Sequence, residues 1–335
     1  MMRKVAINGF GRIGRLVFRQ LMEDGRLEVA GLNDIAPLEN LAYLLKYDSV
    51  HARPEAEIAA KGNTLKWDKS KIDFTQIKDP ADLPWKERGV DIVIEASGVF
   101  TKREDAAKHL DAGAKWVIIT APGKGEDVTI CLGVNEDTFD PNQHFVISNA
   151  SCTTNCLAPV AKVLNDEFGV VSGVMTTIHA YTASQAIVDG PSKKWRRGRA
   201  AAVSIIPTTT GAAVATTKVL PELKGKLDGM AMRVPVANGS VIDFTAQVEK
   251  KATVEDINAA LRTAAGSDRM KGILGITDEE LVSADIIGTE FSALVDSKST
   301  MVVGESTVKV IAWYDNEWGY AKRVVDLARF VSERA

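Results

Sequence analysis

The chain has 335 residues, 45% hydrophobic and 25% charged, enough for about two globular domains with sizeable cores. Lysine and arginine number 41 against 44 acidic residues, a net charge of −3, so neither nucleic acid nor an anionic membrane is expected as the main partner. Three cysteines make no disulfide framework, the Cys152–Cys156 spacing fits no two-residue zinc clip, and Cys131 stands alone; no metal site is expected, and all three read as thiols of a reducing compartment. The start, Met1-Met2-Arg3-Lys4, runs straight into Val5-Ala6-Ile7-Asn8-Gly9. That apolar run is too short for a signal-peptide core, and no run approaches a membrane span. A cytoplasmic protein is expected.

Lys4–Asn8 has the apolar character of a strand, and Gly9-Phe10-Gly11-Arg12-Ile13-Gly14-Arg15 follows at once. Ile13, Leu16, Val17, Gln20 and Leu21 then continue at helical spacing. A second strand is expected at Leu27–Leu32, ending in Asn33-Asp34. A bare G-x-G-x-x-G is a weak signal. Here it has the strand before it, the helix after it, and an acid about 20 residues beyond Gly14, the context of a dinucleotide fingerprint. Gly9 permits the sharp turn, Gly11 lets a pyrophosphate approach the backbone, and Gly14 lets the helix pack close to the sheet. Arg12 and Ile13 offer backbone N–H groups at the helix start. Asp34 suits a ribose diol and repels a 2′-phosphate, so NAD is favoured over NADP; taken alone it is equally a turn residue or cap.

Val90–Glu95, Lys115–Ile119 and Phe145–Ser148 read as further buried strands, with a helix over Lys102–Ala112. The alternation predicts a Rossmann-type doubly wound sheet. Thr120-Ala121-Pro122-Gly123 follows a strand, where such sheets bind ligands.

The pattern changes at Ala150-Ser151-Cys152-Thr153-Thr154-Asn155-Cys156. Leu157, Val160, Ala161, Leu164 and Phe168 follow at helical spacing. Ser151 suits an N-cap, while Pro159 is tolerated only near a helix start. Cys152 therefore lies at a helix N-terminus, where the dipole favours a thiolate and an anion can be held. A lone cysteine there is more often buried structure, which describes Cys156 well. A partner is needed, and the next strand, Val170–Thr177, delivers His179. A lone histidine is equally unremarkable, but together the two can activate a thiol and move a proton at neutral pH. Strands are also expected at Lys226–Val234, Ser240–Glu249 and Val308–Tyr314, and helices at Gly211–Val219, Val254–Ala265 and Trp318–Val331. The second half thus reads as an α+β domain with a mainly antiparallel sheet, residues 151–315. The first domain is expected to be discontinuous, residues 1–150 with 316–335.

These residues carry a resemblance. Asn8–Arg15, Leu44–His51, Ser148–Pro159, Thr176–Tyr181, Ile206–Ala213, Lys224–Pro235 and Trp313–Tyr320 are similar to the phosphorylating glyceraldehyde-3-phosphate dehydrogenase family. The resemblance spans nearly the whole chain. It implies a cytoplasmic homotetramer that oxidises glyceraldehyde 3-phosphate with NAD and inorganic phosphate to 1,3-bisphosphoglycerate. Cys152 is then the nucleophile and His179 the base, acting through a hemithioacetal and a thioester. The family places the substrate and attacking phosphates among Ser151, Thr153, Thr182, Arg197, Thr210, Gly211 and Arg233. Arginine forks and hydroxyl donors suit that work. The cofactor set implied is Asn8, Gly9, Phe10, Gly11, Arg12, Ile13, Asp34, Lys78, Thr120 and Asn316, the last holding the nicotinamide carboxamide. Thr208-Thr209-Thr210-Gly211 also reads as opening a helix, a second anion site, or more plainly as a capped turn.

Lys193-Lys194-Trp195-Arg196-Arg197-Gly198-Arg199 is a basic run that taken alone fits nucleic acid or a solvated loop. By resemblance it is a loop crossing a subunit interface beside the neighbour's NAD. Gly190-Pro191 resembles the NAD-using branch. Two departures stand out: Val214 where relatives often carry lysine, and Gly239 where they often carry valine. The competing readings are an erythrose-4-phosphate dehydrogenase, an aldehyde dehydrogenase that releases free acid, and a non-catalytic NAD- or RNA-binding protein.

Overall fold

The computed structural model describes residues 2–334; Met1 and Ala335, the outermost residues of the expected NAD-binding segments, lie outside the described residues. The chain forms two compact units: Met1–Ile130 with Asp137–Ala150 and Ala321–Ala335, and Cys131–Glu136 with Ser151–Tyr320.

The first unit is built on nine strands: β1 Lys4–Asn8, β2 Glu28–Asn33, β3 Ile58–Lys61, β4 Thr64–Trp67, β5 Ser70–Thr75, β6 Ile92–Glu95, β7 Trp116–Ile119, β8 Val128–Thr129 and β9 Val146–Ser148. Their order is β3-β4-β5-β2-β1-β6-β7-β9-β8. From β5 to β8 every pairing is parallel. Val5, Ala6, Ile7, Val93 and Ile94 are fully buried, as the centre of a parallel sheet covered on both faces requires. The chain leaves β1 between its neighbours β2 and β6, so the glycine turn opens at the crevice where such sheets take ligands. The helix Arg12–Asp24 follows, with Leu16, Val17, Phe18 and Leu21 buried and Gly25 closing it in the left-handed region.

Two local expectations are corrected here. The antiparallel pairs β3–β4 and β4–β5 form a meander the sequence reading did not contain. The expected Lys102–Ala112 helix is two single turns, Arg103–Ala106 and Lys108–Asp111. Their hydrogen bonding slips at Ala107, whose carbonyl is met by the Leu110 N–H, a tightening that interrupts the α pattern.

The second unit carries β10 Val170–Ala180, β11 Ile206–Thr209, β12 Leu227–Val234, β13 Ser240–Val248, β14 Leu274–Thr277, β15 Ala293–Asp296, β16 Met301–Val303 and β17 Thr307–Tyr314. The order is β11-β12-β10-β13-β17-β15-β14, with β16 on β17. Only β10–β12 and β14–β15 run parallel. Along β13, Ser240, Ile242, Phe244, Ala246 and Val248 are buried and their neighbours are not, a strict alternation that fixes the register. The helices Cys152–Phe168, Ala212–Val219 and Val254–Ala265 cover that buried side. The Cys152–Phe168 helix runs on through Pro159. Burial over most of its surface offsets the hydrogen bond that proline cannot donate. β10 extends past Thr177, so His179 is a strand residue. Thr208 and Thr209 likewise belong to β11, and the helix opens only at Ala212 behind Gly211.

Residues 131–136 and 316–320 group with this second unit. The reasons are local. Arg269 donates to the Val134 carbonyl at 2.7 Å and pairs with Glu136 at 3.2 Å. Asn316 accepts from Ser240 Oγ at 2.6 Å.

Candidate active site

Cys152 opens its helix behind Ser151, whose Oγ accepts the Thr154 N–H at 3.1 Å. That cap satisfies one of the helix's orphan donors. The same oxygen lies 2.8 Å from Thr154 Oγ1. Cys152 is half-buried, and its Sγ lies 3.6 Å from His179 Nε2. Strand register supplies the rest. His179 on β10 stands opposite Arg233 on β12, and Ser240 on β13 stands opposite Tyr314 on β17. Because β12, β10, β13 and β17 are consecutive in the sheet, one end of it collects all four side chains.

Arg233 donates to His179 Nδ1 at 2.5 Å and to the Ala180 carbonyl at 2.9 Å, while that carbonyl lies 2.7 Å from Nδ1. A guanidinium only donates. With Nδ1 accepting from Arg233, the ring proton sits on Nε2 and faces the sulfur. With the proton on Nδ1, the Ala180 carbonyl takes it and Nε2 is bare. The second tautomer requires the Arg233 guanidinium, a donor only, to turn from Nδ1 towards the Ala180 carbonyl it already meets.

Burial pushes the imidazolium of His179 down to about 3, and the Arg233 charge pushes the same way. The ring is a neutral base. Burial also pushes the Cys152 thiol up, opposed by the Arg233 charge. The helix start therefore does not by itself yield a thiolate: desolvation outweighs it. Moving the proton from Sγ to Nε2 creates opposite charges 3.6 Å apart, each offsetting the other's desolvation. Tyr314 lies edge-on to His179, with its hydroxyl 2.8 Å from Thr153 Oγ1 and 2.9 Å from Thr177 Oγ1. Thr153 thus points its hydroxyl at Tyr314 rather than outward. Cys156 is buried, as expected, with its thiol against the Ala312 carbonyl.

Two guanidiniums flank this corner. Arg233 has a buried Nε with no partner. Arg197 bonds Thr208 Oγ1 at 2.9 Å, Ser184 Oγ at 3.4 Å and the Thr209 carbonyl at 3.3 Å. The Arg197 charge lowers the proton affinity of both Arg233 and His179. Among the described residues neither meets a carboxylate. Uncompensated, partly buried arginine charge is the chemistry of an anion site. Thr182 sits half-buried against Ser184, at 2.8 Å between hydroxyls. Thr210 Oγ1 accepts the Ala212 N–H at 3.2 Å beside the exposed Gly211.

In the first unit the glycine turn is a cradle made by missing side chains. A Cβ on Gly9 would fall 2.3 Å from the Ser97 nitrogen, and one on Gly14 would fall 2.0 Å from the Gly9 carbonyl oxygen. At Gly11 nothing lies within 4 Å, so the open side of the turn is there. Gly11 caps the helix without a side chain, and the first turn holds no acid. Its N–H groups and partial positive charge fit a pyrophosphate. Asp34 accepts the Phe10 N–H at 2.6 Å and the Ala36 N–H at 2.9 Å, and is half-buried. Arg12 pairs with Asp48 at 2.6 Å. Thr120 donates its hydroxyl to the Glu95 carbonyl at 3.1 Å, and Lys78 is exposed. Phe10 and Asn8 are buried, so their side chains face the interior and only their backbone meets the turn. The residues fit a dinucleotide.

Comparison with known proteins agrees. The NAD-binding domain of glyceraldehyde 3-phosphate dehydrogenase matches residues 3–103, and the C-terminal domain of the same enzyme matches 151–316. The chain belongs to the glyceraldehyde-3-phosphate dehydrogenase family. It is 58% identical over 331 residues to the Geobacillus stearothermophilus glyceraldehyde-3-phosphate dehydrogenase, covering 99% of this chain and 98% of that protein. The Priestia megaterium enzyme and glyceraldehyde-3-phosphate dehydrogenase 1 of Bacillus subtilis are each 56% identical over 331 residues, covering 99% of this chain and 98% of each relative. The chain is thus an NAD-dependent oxidoreductase of two α/β domains with a mixed sheet in each. Among the described residues no helix is long and apolar enough to cross a membrane.

Several side chains in the site escaped the sequence reading. Ser240 takes the Ala180 N–H at 3.1 Å and donates to Asn316. Asp315 is buried and accepts from Asn238, Glu317, Trp318 and Gly288. Ser240 is placed by strand register, while Asp315 follows β17 and holds the N–H groups of the next turn.

Proposed function

We propose that this member of the family oxidises and phosphorylates D-glyceraldehyde 3-phosphate to 1,3-bisphosphoglycerate, with Cys152 as nucleophile and His179 as base. The 3.6 Å approach of Sγ to Nε2 carries this reading. Sγ attacks the aldehyde carbon, and the oxygen becomes the hydroxyl of a hemithioacetal as His179 passes it the thiol proton. His179 then takes that hydroxyl proton while the C–H bond breaks. NAD, when bound, supplies the hydride acceptor. The C=O re-forms as a thioester on Cys152, which keeps the free energy of oxidation available. A phosphate oxygen attacks the same carbon, the C–S bond breaks, and the thiolate leaves.

The substrate and attacking phosphates are held among Ser151, Thr153, Thr182, Arg197, Thr210, Gly211 and Arg233. Arg197 and Arg233 supply the charge. Asn8, Gly9, Phe10, Gly11, Arg12 and Ile13 take the pyrophosphate, Asp34 the ribose, and Lys78 and Thr120 flank the nucleotide. Asn316 holds the carboxamide. Its Oδ1 is occupied by Ser240, which turns the amide N–H groups outward as donors. Residues 1–150 with 316–335 serve as the NAD domain, and 151–315 as the catalytic domain.

The protein works as a cytoplasmic homotetramer. Val174 and Met230 stay exposed on the uncovered side of the second sheet, and Ile187, Val188 and Trp195 are 84%, 73% and 89% exposed beside the basic run. Apolar surface of this kind is suited to contact between copies. NADH formation from glyceraldehyde 3-phosphate, with and without phosphate, tests the chemistry, with erythrose 4-phosphate as comparison. Light scattering tests the assembly: a monomeric mass would refute it.

A further inference from the structure

Glu95 and His109 are 2% and 0% exposed and take no part in the chemistry above. Glu95 ends β6, and its carboxylate accepts four donors. Oε2 receives Asn8 Nδ2 at 2.5 Å and faces His109 Nε2 at 3.0 Å. Oε1 receives the Ser97 N–H at 2.8 Å and the Ser97 hydroxyl. Trp85 donates its indole N–H to His109 Nδ1 at 3.0 Å. An indole only donates, so Nδ1 is bare, the ring is neutral, and its proton sits on Nε2, aimed at Glu95. Asn8 Oδ1 in turn accepts Asn33 Nδ2 at 2.7 Å, and Asn33 Oδ1 accepts the Ile77 N–H at 2.9 Å and Thr75 Oγ1 at 2.9 Å.

The network thus ties together the ends of β1, β2, β5 and β6, the strands around the glycine turn. Ser97, held at both its nitrogen and its hydroxyl, is the residue against which Gly9 packs with no room for a Cβ. Asn33 immediately precedes Asp34.

We infer that the buried Trp85–His109–Glu95 chain is a positioning device for the nucleotide. It fixes the spacing of the Gly9–Gly11 turn, the Ser97 backbone and Asp34 without touching the ligand. The inference rests on the reading that NAD lies on that turn and on Asp34. A carboxylate is the side chain that can accept from all four donors. Glutamine would turn an NH2 group against one donor pair, and a buried group facing its own kind must move.

The test compares His109→Leu, His109→Gln, Glu95→Gln and Ser97→Ala in the full-length protein. NAD affinity is read by calorimetry, KM and kcat at saturating NAD, and the alkylation rate of Cys152. His109→Leu and Glu95→Gln are expected to weaken NAD about tenfold. The KM for the aldehyde and the alkylation rate should stay at wild-type values. His109→Gln, whose amide can both accept from Trp85 and donate to Glu95, should restore affinity to within about threefold. Folded His109→Leu with wild-type NAD affinity would overturn the inference. So would a loss shared equally by every readout, or a glutamine variant as impaired as the leucine one. If the leucine variant does not fold, Ser97→Ala decides, since it removes a single hydroxyl: weakening of about threefold supports the device, and unchanged affinity overturns it. Asp34→Asn separates the two levels. Weakening there alone overturns the network and leaves the nucleotide reading intact; no weakening in any variant overturns both.

Discussion

The two units hold charge in opposite ways. The glycine turn of the first is made of backbone: a helix start with no capping side chain, and glycines where a Cβ would collide. The thiol corner of the second is made of side chains, delivered by four adjacent strands and one helix start. A backbone site tolerates change in side chains that do not fill it and fails when a Cβ is added. A side-chain site tolerates none at its reacting atoms but loses function in graded steps around them.

Substitution at the sulfur should separate the units most sharply. Cys152→Ser is expected to reduce turnover by about 10⁴-fold or more while NAD titration stays measurable. Near-normal turnover in steady-state assays would end the thiol mechanism. His179→Asn should cost about 10²- to 10⁴-fold in kcat and move the pH midpoint of Cys152 alkylation upward, because the thiolate loses its cationic partner. An unmoved midpoint would break the pairing.

Gly14→Ala probes the backbone site. Its Cβ would meet the Gly9 carbonyl at 2.0 Å, so NAD binding should fall by about tenfold or more while Cys152 alkylation proceeds at its usual rate. Unchanged NAD titration would show that the turn is not the cradle. Arg233→Met sharpens the electrostatics. The Arg233 charge lowers the proton affinity of both Cys152 and His179, so removing it should raise both. Alkylation would then need higher pH, and KM for the aldehyde phosphate should rise by about tenfold or more. A midpoint that falls would contradict the sign. Tyr314→Phe should have the smallest effect, about 1 kcal/mol of stability. It leaves the Thr153 and Thr177 hydroxyls without that partner, and denaturant unfolding will show the change.

The same contrast explains what was legible beforehand. Glycine spacing, Asp34 and the capped cysteine helix are local in sequence, and so were read directly. The β3–β4–β5 meander carries only a faint local signal, the turn Gly62-Asn63 with Gly62 at φ +55° between two four-residue strands. Arg233, His179, Ser240 and Tyr314 converge only through register, with long stretches of chain between them. The strand that follows the cysteine helix offered His179, and the resemblance supplied Arg233. Nothing local supplied Ser240, Tyr314 or the Glu95 network. Ser151 Oγ accepts the Thr154 N–H as the helix cap, and Thr153 Oγ1 lies 2.8 Å from the Tyr314 hydroxyl, two contacts that residue types alone do not reveal. Gly239 lies at φ +86°, where a Cβ would fall 2.3 Å from the Ser283 carbonyl oxygen, so this backbone requires glycine; Val214 gains no explanation.

Rapid mixing of the wild-type protein with NAD and glyceraldehyde 3-phosphate, without phosphate, tests the central chemistry most directly. A burst of about one NADH per chain is expected, then a stall that added phosphate relieves, with the trapped acyl group on the peptide containing Cys152. Steady NADH formation without phosphate and with no acyl group on that peptide would contradict it.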